Sequence, residues 1–141
     1  MATRYFALIF GIIYLLVGLM GLIPGLLQPM EAGNPPLTFD VLSGSLLGLF
    51  PVNILHTVVH LAIGMWGIFA YRSFDGARNF SLVTGIVFAL LFLFGLIPGL
   101  QTLFGLLPLH GADRWLHLAS SAVALYFGLA APRGSEVTPN V

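Results

Sequence analysis

The sequence predicts an all-α integral membrane protein, a four-helix bundle built from two tandem, parallel two-helix hairpins. Of its 141 residues, 58% are hydrophobic and only 7% are charged, and the mean hydropathy is +1.00. An average soluble domain carries about 25% charged residues, so this chain lacks the charge to cover a water-facing surface. Four long apolar runs alternate with more polar segments, and the second half of the chain repeats the first. We therefore expect one membrane domain that comprises residues 1–141.

Apolar runs give the four predicted helices. They cover about 5–27, 52–71, 80–97 and 113–131. The first run has no charge and is about as long as the ~20 residues that a hydrocarbon core requires. It is longer than the roughly 7–15 apolar residues of a signal peptide, so we expect it to be retained as a helix. Proline cannot continue a helix, and Pro24, Pro98 and Pro132 mark the predicted ends of the first, third and fourth helices.

The segments between the helices differ in character. Residues 28–40 are rich in Pro and Gly and predict an exposed loop. Residues 41–50 are apolar but too short to span a bilayer, so we expect them to lie flat in the interface or over the end of the bundle. Residues 72–78 predict a short polar turn, and residues 99–112 a compact apolar loop.

Arginine placement predicts the orientation. In a four-span arrangement Arg4, Arg72, Arg78 and Arg133 fall on one side, and only Arg114 falls on the other. The positive-inside rule then places both termini and the 72–79 turn in the cytoplasm. The starts of the second and fourth helices, with the histidines of the chain, would lie toward the outer leaflet.

An internal repeat relates the two hairpins, about 5–71 and 80–131. The shared strings are GLIPGL in the first and third helices and LxGLxP before the second and fourth. The first recurs after 74 positions (Gly21 to Gly95) and the second after 57 (Pro51 to Pro108). Each hairpin returns to the side where it began, so we expect the copies to be parallel about an axis along the membrane normal.

A polar stripe marks the second and fourth helices. His56 and His60 are four residues apart and share one helical face. In the second copy, 57 positions later, Asp113 and His117 take the same places. Diagonal partners in a bundle would turn these stripes toward each other, with helix axes about 12–14 Å apart given neighbours about 8–10 Å apart. We therefore predict a buried His/Asp cluster near the outer leaflet.

Several uses of this cluster are open. The side chains can hydrogen-bond to one another and to Asn53, as buried polar groups usually do. Alternatively His56, His60, Asp113 and His117 bind a transition metal, because this ligand set fits zinc, iron or copper. A third possibility is that His60 and His117 are axial ligands of a tetrapyrrole such as haem. A path for protons or a solute is the fourth, because ionisable residues inside a membrane often line one.

Other residues narrow the function. The chain has no cysteine, which excludes thiolate catalysis and thiolate metal ligands, and no lysine, which disfavours nucleic acid as a partner. No nucleophile triad, phosphate loop or paired-carboxylate motif is visible, so nothing in the sequence supports an enzyme. We expect His110, the repeat counterpart of Asn53, to lie at the interface, and Arg114 to form an ion pair with its neighbour Asp113.

The chain resembles a family of small bacterial membrane proteins known as domain of unknown function 4383. The resemblance reaches from the first helix to Tyr126, and its marks are FALIFGIIYLLVG at 6–18, LLGLFPVNILHTVVHL at 46–61 and ADRWLHL at 112–118. It implies four membrane spans and no established activity. We expect a protein of a bacterial inner membrane, or of a photosynthetic membrane, that serves as an accessory subunit of a larger membrane complex; the alternative is a metal- or haem-binding protein.

Overall fold

Four α-helices make up most of the chain in the computed structural model, which describes residues 1–130. The helices are α1 (Ala2–Gly21), α2 (Ile54–Ala70), α3 (Phe74–Leu96) and α4 (Asp113–Leu125), and α4 continues into a π-helical turn at Tyr126–Ala130. The four predicted helices are thus present. The predicted stop at Pro132 and the tail with Arg133 lie outside the described residues.

Two predicted helix boundaries were wrong. The first helix ends at Gly21 rather than at 27, because Pro24 disfavours helical backbone at the residue before it. Ile23 is accordingly extended (φ −100°, ψ 103°), and a short 3₁₀ turn follows at Pro24–Leu26. The third helix begins at Phe74 rather than at 80. Ser73 caps it, since its hydroxyl accepts a hydrogen bond of 3.0 Å from the Gly76 amide.

Three short strands, which the sequence did not predict, accompany the four helices. They are β1 (Leu27–Gln28), β2 (Gly44–Leu46) and β3 (Phe50–Val52), which form one antiparallel sheet in the order β1-β2-β3. The apolar segment 41–50 therefore does not lie as one flat piece. It reverses between β2 and β3, where Leu47 (φ 53°) and Gly48 (φ 73°) adopt left-handed backbone.

The helices pack as two close pairs, α1 with α2 and α3 with α4. Glycines permit this approach. A Cβ atom on Gly11 would lie 2.8 Å from the backbone of α2, and one on Gly85 would lie 3.0 Å from the backbone of α4. Between the pairs lies an aromatic core from α1 and α3, in which the Tyr14 ring stacks on Phe10 and Phe88 at 4.6 and 5.1 Å.

A cap covers the end of the helices at which α1 and α3 finish and α2 and α4 begin. We define the cap as residues 22–53 and 97–112. Its two parts are joined by hydrogen bonds from the amides of Thr38 and Phe39 to the carbonyl of Gly105, at 2.9 and 3.2 Å. The Val41 carbonyl accepts from the amide of Ile54, the first residue of α2, at 2.9 Å. The cap thereby fixes where α2 and α4 start.

Two of the helices, α1 and α3, are long and apolar enough by length and composition to cross a membrane. They contain 20 and 23 residues, and α2 is a shorter apolar helix of 17 residues. In the most apolar windows of α1 and α3, only 39% and 33% of the residues are buried by the rest of the protein. The exposed part of each of these windows carries apolar side chains such as Ile9, Leu16, Ile86 and Leu90.

Candidate metal centre

α2 contributes two histidines to the interior directly below the cap. Its first turn is set by Asn53, whose side-chain oxygen accepts a hydrogen bond of 2.9 Å from the His56 amide. His56 and His60 follow on the inward face, where both side chains are buried. Their ring centroids are 4.4 Å apart.

α4 contributes Asp113 and His117 to the same place, and neither has any exposed surface. Oδ2 of Asp113 lies 3.3 Å from Nδ1 of His117, and its Oδ1 lies 3.9 Å from Nε2 of His56. The ring centroids of His56 and His117 are 5.9 Å apart. All four residues singled out from the sequence therefore meet in one buried cluster.

The three imidazoles lie close enough together to approach one metal ion. If one ring nitrogen is taken from each of His56, His60 and His117, the three nitrogens lie within 4.8 Å of one another. Three nitrogens around a tetrahedral zinc ion, with bonds of about 2.0–2.1 Å, would be about 3.3 Å apart. Binding of an ion would draw the three nitrogens closer together than they are in this structure.

Unsatisfied polar atoms are concentrated in this cluster. Both ring nitrogens of His56 and of His117, Nε2 of His60 and both oxygens of Asp113 are buried without a hydrogen-bond partner among the described residues. The carbonyls of Pro51 and Pro108 face the His56 ring but do not meet hydrogen-bond geometry. A buried polar group without a partner costs about 1–3 kcal/mol. The arrangement therefore favours a ligand that several of these atoms share.

Aromatic side chains close the site on the side away from the cap. The Tyr14 ring meets His60 edge-on at 5.1 Å, and Phe88 stacks on His117 at 5.1 Å. The Tyr14 hydroxyl shares a hydrogen bond of 2.7 Å with Ser120. These rings pack directly on His60 and His117 and line the site on this side.

Sequence reasoning missed Tyr14, Phe88 and Ser120. A signal for Tyr14 was present, because it lies three residues after Gly11 and four before Gly18 and so shares their face of α1. That face is the one that packs against α2. Nothing local marks Ser120, whose contact with Tyr14 joins residues 106 positions apart.

Two expected partners of the cluster are placed differently. The Asn53 side chain does not bond to the imidazoles; besides capping α2, it donates to the carbonyls of Phe39 and Leu106 at 2.8 and 2.7 Å. The expected Asp113–Arg114 ion pair is also wrong. Arg114 follows Asp113 on the helix but turns away from it, and its Nε donates at 3.4 Å to the carbonyl of Gly111.

His110 lies in the cap, apart from the three clustered histidines. Its side chain is 7% exposed and its Nε2 has no hydrogen-bond partner among the described residues. Burial, and then the nearby charge of Arg114, lowers the pKa of His110 below its usual value. The histidine is thus held neutral, and it serves as a natural comparison for the clustered three.

Comparison with known proteins assigns the family. The family model of the domain of unknown function DUF4383 matches residues 4–130, nearly the whole chain. The chain belongs to this family. Searches of the curated proteins and of the solved structures find no match.

Proposed function

We propose that this member of the DUF4383 family is an integral membrane protein that binds a divalent transition metal ion through His56, His60 and His117. The observation that carries the proposal is the convergence of three buried imidazole nitrogens within 4.8 Å of one another. Imidazole suits zinc, copper, iron and nickel. Zinc is the natural first probe because it accepts three histidines with an open fourth position.

The alternative of a purely hydrogen-bonded cluster has less support. Asp113 approaches only two of the histidines, and its one carboxyl group does not supply partners for the ring nitrogens of all three. His60 Nε2 has no acceptor at all among the described residues. A metal ion would engage all three rings at once, because each neutral imidazole offers it one lone pair.

The distribution of side chains supports the membrane setting. The outward face of α1 carries Ile9, Ile13 and Leu16, each at least half exposed, while histidines, serines, threonines and an aspartate are buried inside. Lipid accounts for this inverted pattern. α2 would be about 26 Å long at 1.5 Å per residue, slightly short of a hydrocarbon core of about 30 Å. The apolar surface of the cap would fill the remainder, and we propose four spans with both termini cytoplasmic.

Glycine contacts support the duplicated-hairpin origin. Gly11 approaches Ile68 of α2. The residues that match them in the second hairpin, Gly85 (74 positions after Gly11) and Leu125 (57 positions after Ile68), approach each other in the same way. In the same way Gly21 meets Thr57, and the matching Gly95 meets Arg114. Contacts between equivalent positions are expected when two hairpins share one ancestral packing. The two polar stripes would then be copies that face each other across the interior.

Zinc binding by purified protein tests the proposal. We expect wild-type protein in detergent, stripped of metal, to bind one zinc ion per chain in calorimetry or in competition with a chromophoric chelator. Loss of a single ligand in His60→Ala or His117→Ala should lower affinity by more than the roughly 10–100-fold that loss of an outer-shell partner costs.

The fourth histidine supplies the matched control. His110→Ala removes an imidazole from the cap but none from the cluster, so its zinc affinity should equal that of the wild type. Wild-type protein without stoichiometric zinc, copper, iron or nickel binding would contradict the proposal. Equal loss in His110→Ala and His60→Ala would contradict it too, since binding would then not be specific to the cluster.

A second candidate is an accessory subunit of a larger membrane complex. The observation that favours it is the apolar tip of the cap, where Leu47, Leu49 and Phe104 are 51%, 61% and 76% exposed. Under mild extraction we expect co-purification with a partner at fixed stoichiometry, and release of that partner by Leu49→Ser with Phe104→Ser. A lone monomer under the same conditions would contradict this role.

A further inference from the structure

Asp113 lies between two of the three clustered histidines. We propose that Asp113 is a positioning residue: its carboxylate accepts the Nδ1 proton of His117, turns Nε2 of that ring toward the metal, and does not itself bind the ion. The inference rests on the proposed metal site and assigns a role that the bare ligand set does not.

The geometry separates Asp113 from the ligand group. The three histidine nitrogens converge within 4.8 Å without it. The closest approaches of its oxygens are instead to the histidines, 3.3 Å to His117 Nδ1 and 3.9 Å to His56 Nε2. Metal-binding histidines usually donate their second ring N–H to a carboxylate or carbonyl, which fixes the tautomer and orients the ring. A small rotation of His117 would bring its 3.3 Å contact into hydrogen-bond alignment.

This pairing decides which nitrogens face the ion. With Nδ1 of His117 and Nε2 of His56 directed to Asp113, the atoms left for the metal are Nε2 of His117 and Nδ1 of His56. His60 contributes Nε2, which is buried and has no partner among the described residues. Each ring thus has one nitrogen for the ion, and the carboxylate lies on the other side of the His117 ring.

The negative charge of the Asp113 carboxylate would also offset the charge of a bound divalent ion. Three neutral imidazoles would leave a divalent ion with its full charge in a site that has no exposed surface at Asp113 or His117. A buried carboxylate is itself costly unless it is paired, and no arginine forms an ion pair with Asp113 in the part of the chain that the structure describes. The carboxylate and the ion would offset each other, although they need not touch.

The repeat provides an independent argument. His56 and Asp113 occupy the same position in the two halves, 57 residues apart, and His60 and His117 occupy the next. His60 and His117 are the same residue type in both halves, whereas His56 and Asp113 are an imidazole in one half and a carboxylate in the other. In the structure Nε2 of His56 and Oδ1 of Asp113 lie 3.9 Å apart. At the equivalent position one half therefore supplies a ligand, His56, and the other supplies a carboxylate, Asp113.

Nuclear magnetic resonance of cadmium-loaded wild-type protein tests the inference directly. With nitrogen-labelled histidine, we expect coupling to cadmium at Nε2 of His117 and at Nδ1 of His56, and a proton retained on Nδ1 of His117. Coupling through Nδ1 of His117 would overturn the inference, because that atom could not then donate to Asp113. This measurement needs no variant and so does not depend on a variant folding.

Asp113→Asn provides the affinity test, because it keeps the side-chain volume and removes the charge. We expect zinc to bind about 10–100-fold more weakly, the usual loss for an outer-shell partner. Ser121→Ala is the matched control. Ser121 is buried about two turns further along α4 than Asp113, and its hydroxyl donates to the Gly85 carbonyl at 2.8 Å.

The outcomes separate the two proposals. If wild-type protein binds no metal, the proposed function fails and this inference falls with it. If the wild type binds zinc while Asp113→Asn binds it equally well, only the role of Asp113 is overturned. Weaker binding in Asp113→Asn but not in Ser121→Ala, together with Nε2 coordination by His117, supports the inference.

Discussion

At the scale of single residues, the interior is organised by polar side chains that fix the ends of helices. Asn53 is the clearest case, because one amide group makes three hydrogen bonds. It accepts from the His56 amide and donates to the carbonyls of Phe39 and Leu106. It therefore connects both parts of the cap to the helix that carries two of the clustered histidines.

Asn53→Ala tests this residue. It removes the helix cap, worth about 1 kcal/mol, and two further hydrogen bonds of about 1 kcal/mol each. We expect the free energy of unfolding, measured by detergent titration in mixed micelles, to fall by about 3 kcal/mol. Ser73→Ala removes an N-cap of the same kind from the exposed start of α3. It should lower the free energy of unfolding by only about 1 kcal/mol. Equal losses of stability in the two variants would show that Asn53 acts only as the N-cap of α2. Its hydrogen bonds to the carbonyls of Phe39 and Leu106 would then add nothing measurable.

At the scale of elements, the close pairing of α1 with α2 depends on glycine. A Cβ atom on Gly64 would collide with the backbone of Leu15 in α1, and one on Gly67 would lie 2.8 Å from the Cα of Gly11. The neighbouring atoms belong to backbone and cannot rotate away. The two helices would have to separate to accept any larger residue.

Gly64→Ala is the corresponding prediction. Overpacking of this kind costs about 1–3 kcal/mol, and here the cost should fall at the upper end because the helices must move as units. Gly25→Ala is the control, since a Cβ there meets nothing within 4 Å and the residue does not have positive φ. We expect the melting temperature to fall for Gly64→Ala and to stay unchanged for Gly25→Ala. A tolerated Gly64→Ala would contradict the described packing.

Elements also show how far the sequence could predict the structure. The helices could be predicted because uncharged runs of suitable length are a signal within each segment. The spacing of His56 and His60 predicted that they share one inward face of α2. The repeat predicted that His117 lies on the inward face of α4. The cap could not, because its strands are two or three residues long and are held by distant contacts such as Thr38 with Gly105. The expected Asp113–Arg114 pair failed because adjacent helical residues point in different directions.

At the scale of the whole molecule, single cysteines test whether α1 spans a bilayer and in which direction. The chain has no cysteine, so single cysteines can report topology without background. Ala2 and Ala32 are both exposed and small; Ala2 is the first residue of α1, and Ala32 follows the other end of the helix in the cap. We expect a membrane-impermeant maleimide to label Ala32→Cys in intact cells and to label Ala2→Cys only after permeabilisation. Asn79→Cys, exposed near the start of α3, should behave like Ala2→Cys.

Labelling of Ala2→Cys and Ala32→Cys from the same side would contradict a span by α1. Labelling of Ala2→Cys from outside and Ala32→Cys from inside would retain the span but reverse the proposed orientation. The clustered histidines would then open toward the cytoplasm, because the cap and the starts of α2 and α4 lie at one end of the helices. The measurement thus decides which compartment supplies any metal.

X-ray absorption spectroscopy of the zinc-loaded protein identifies the ligand atoms of the bound ion. We predict a first shell that contains three imidazole nitrogens at about 2.0–2.1 Å, with the multiple-scattering pattern of histidine rings. His110→Ala should leave that shell intact, and His60→Ala should remove one of its nitrogens. A zinc shell without imidazole nitrogens, or one that His60→Ala leaves unchanged, would contradict the account.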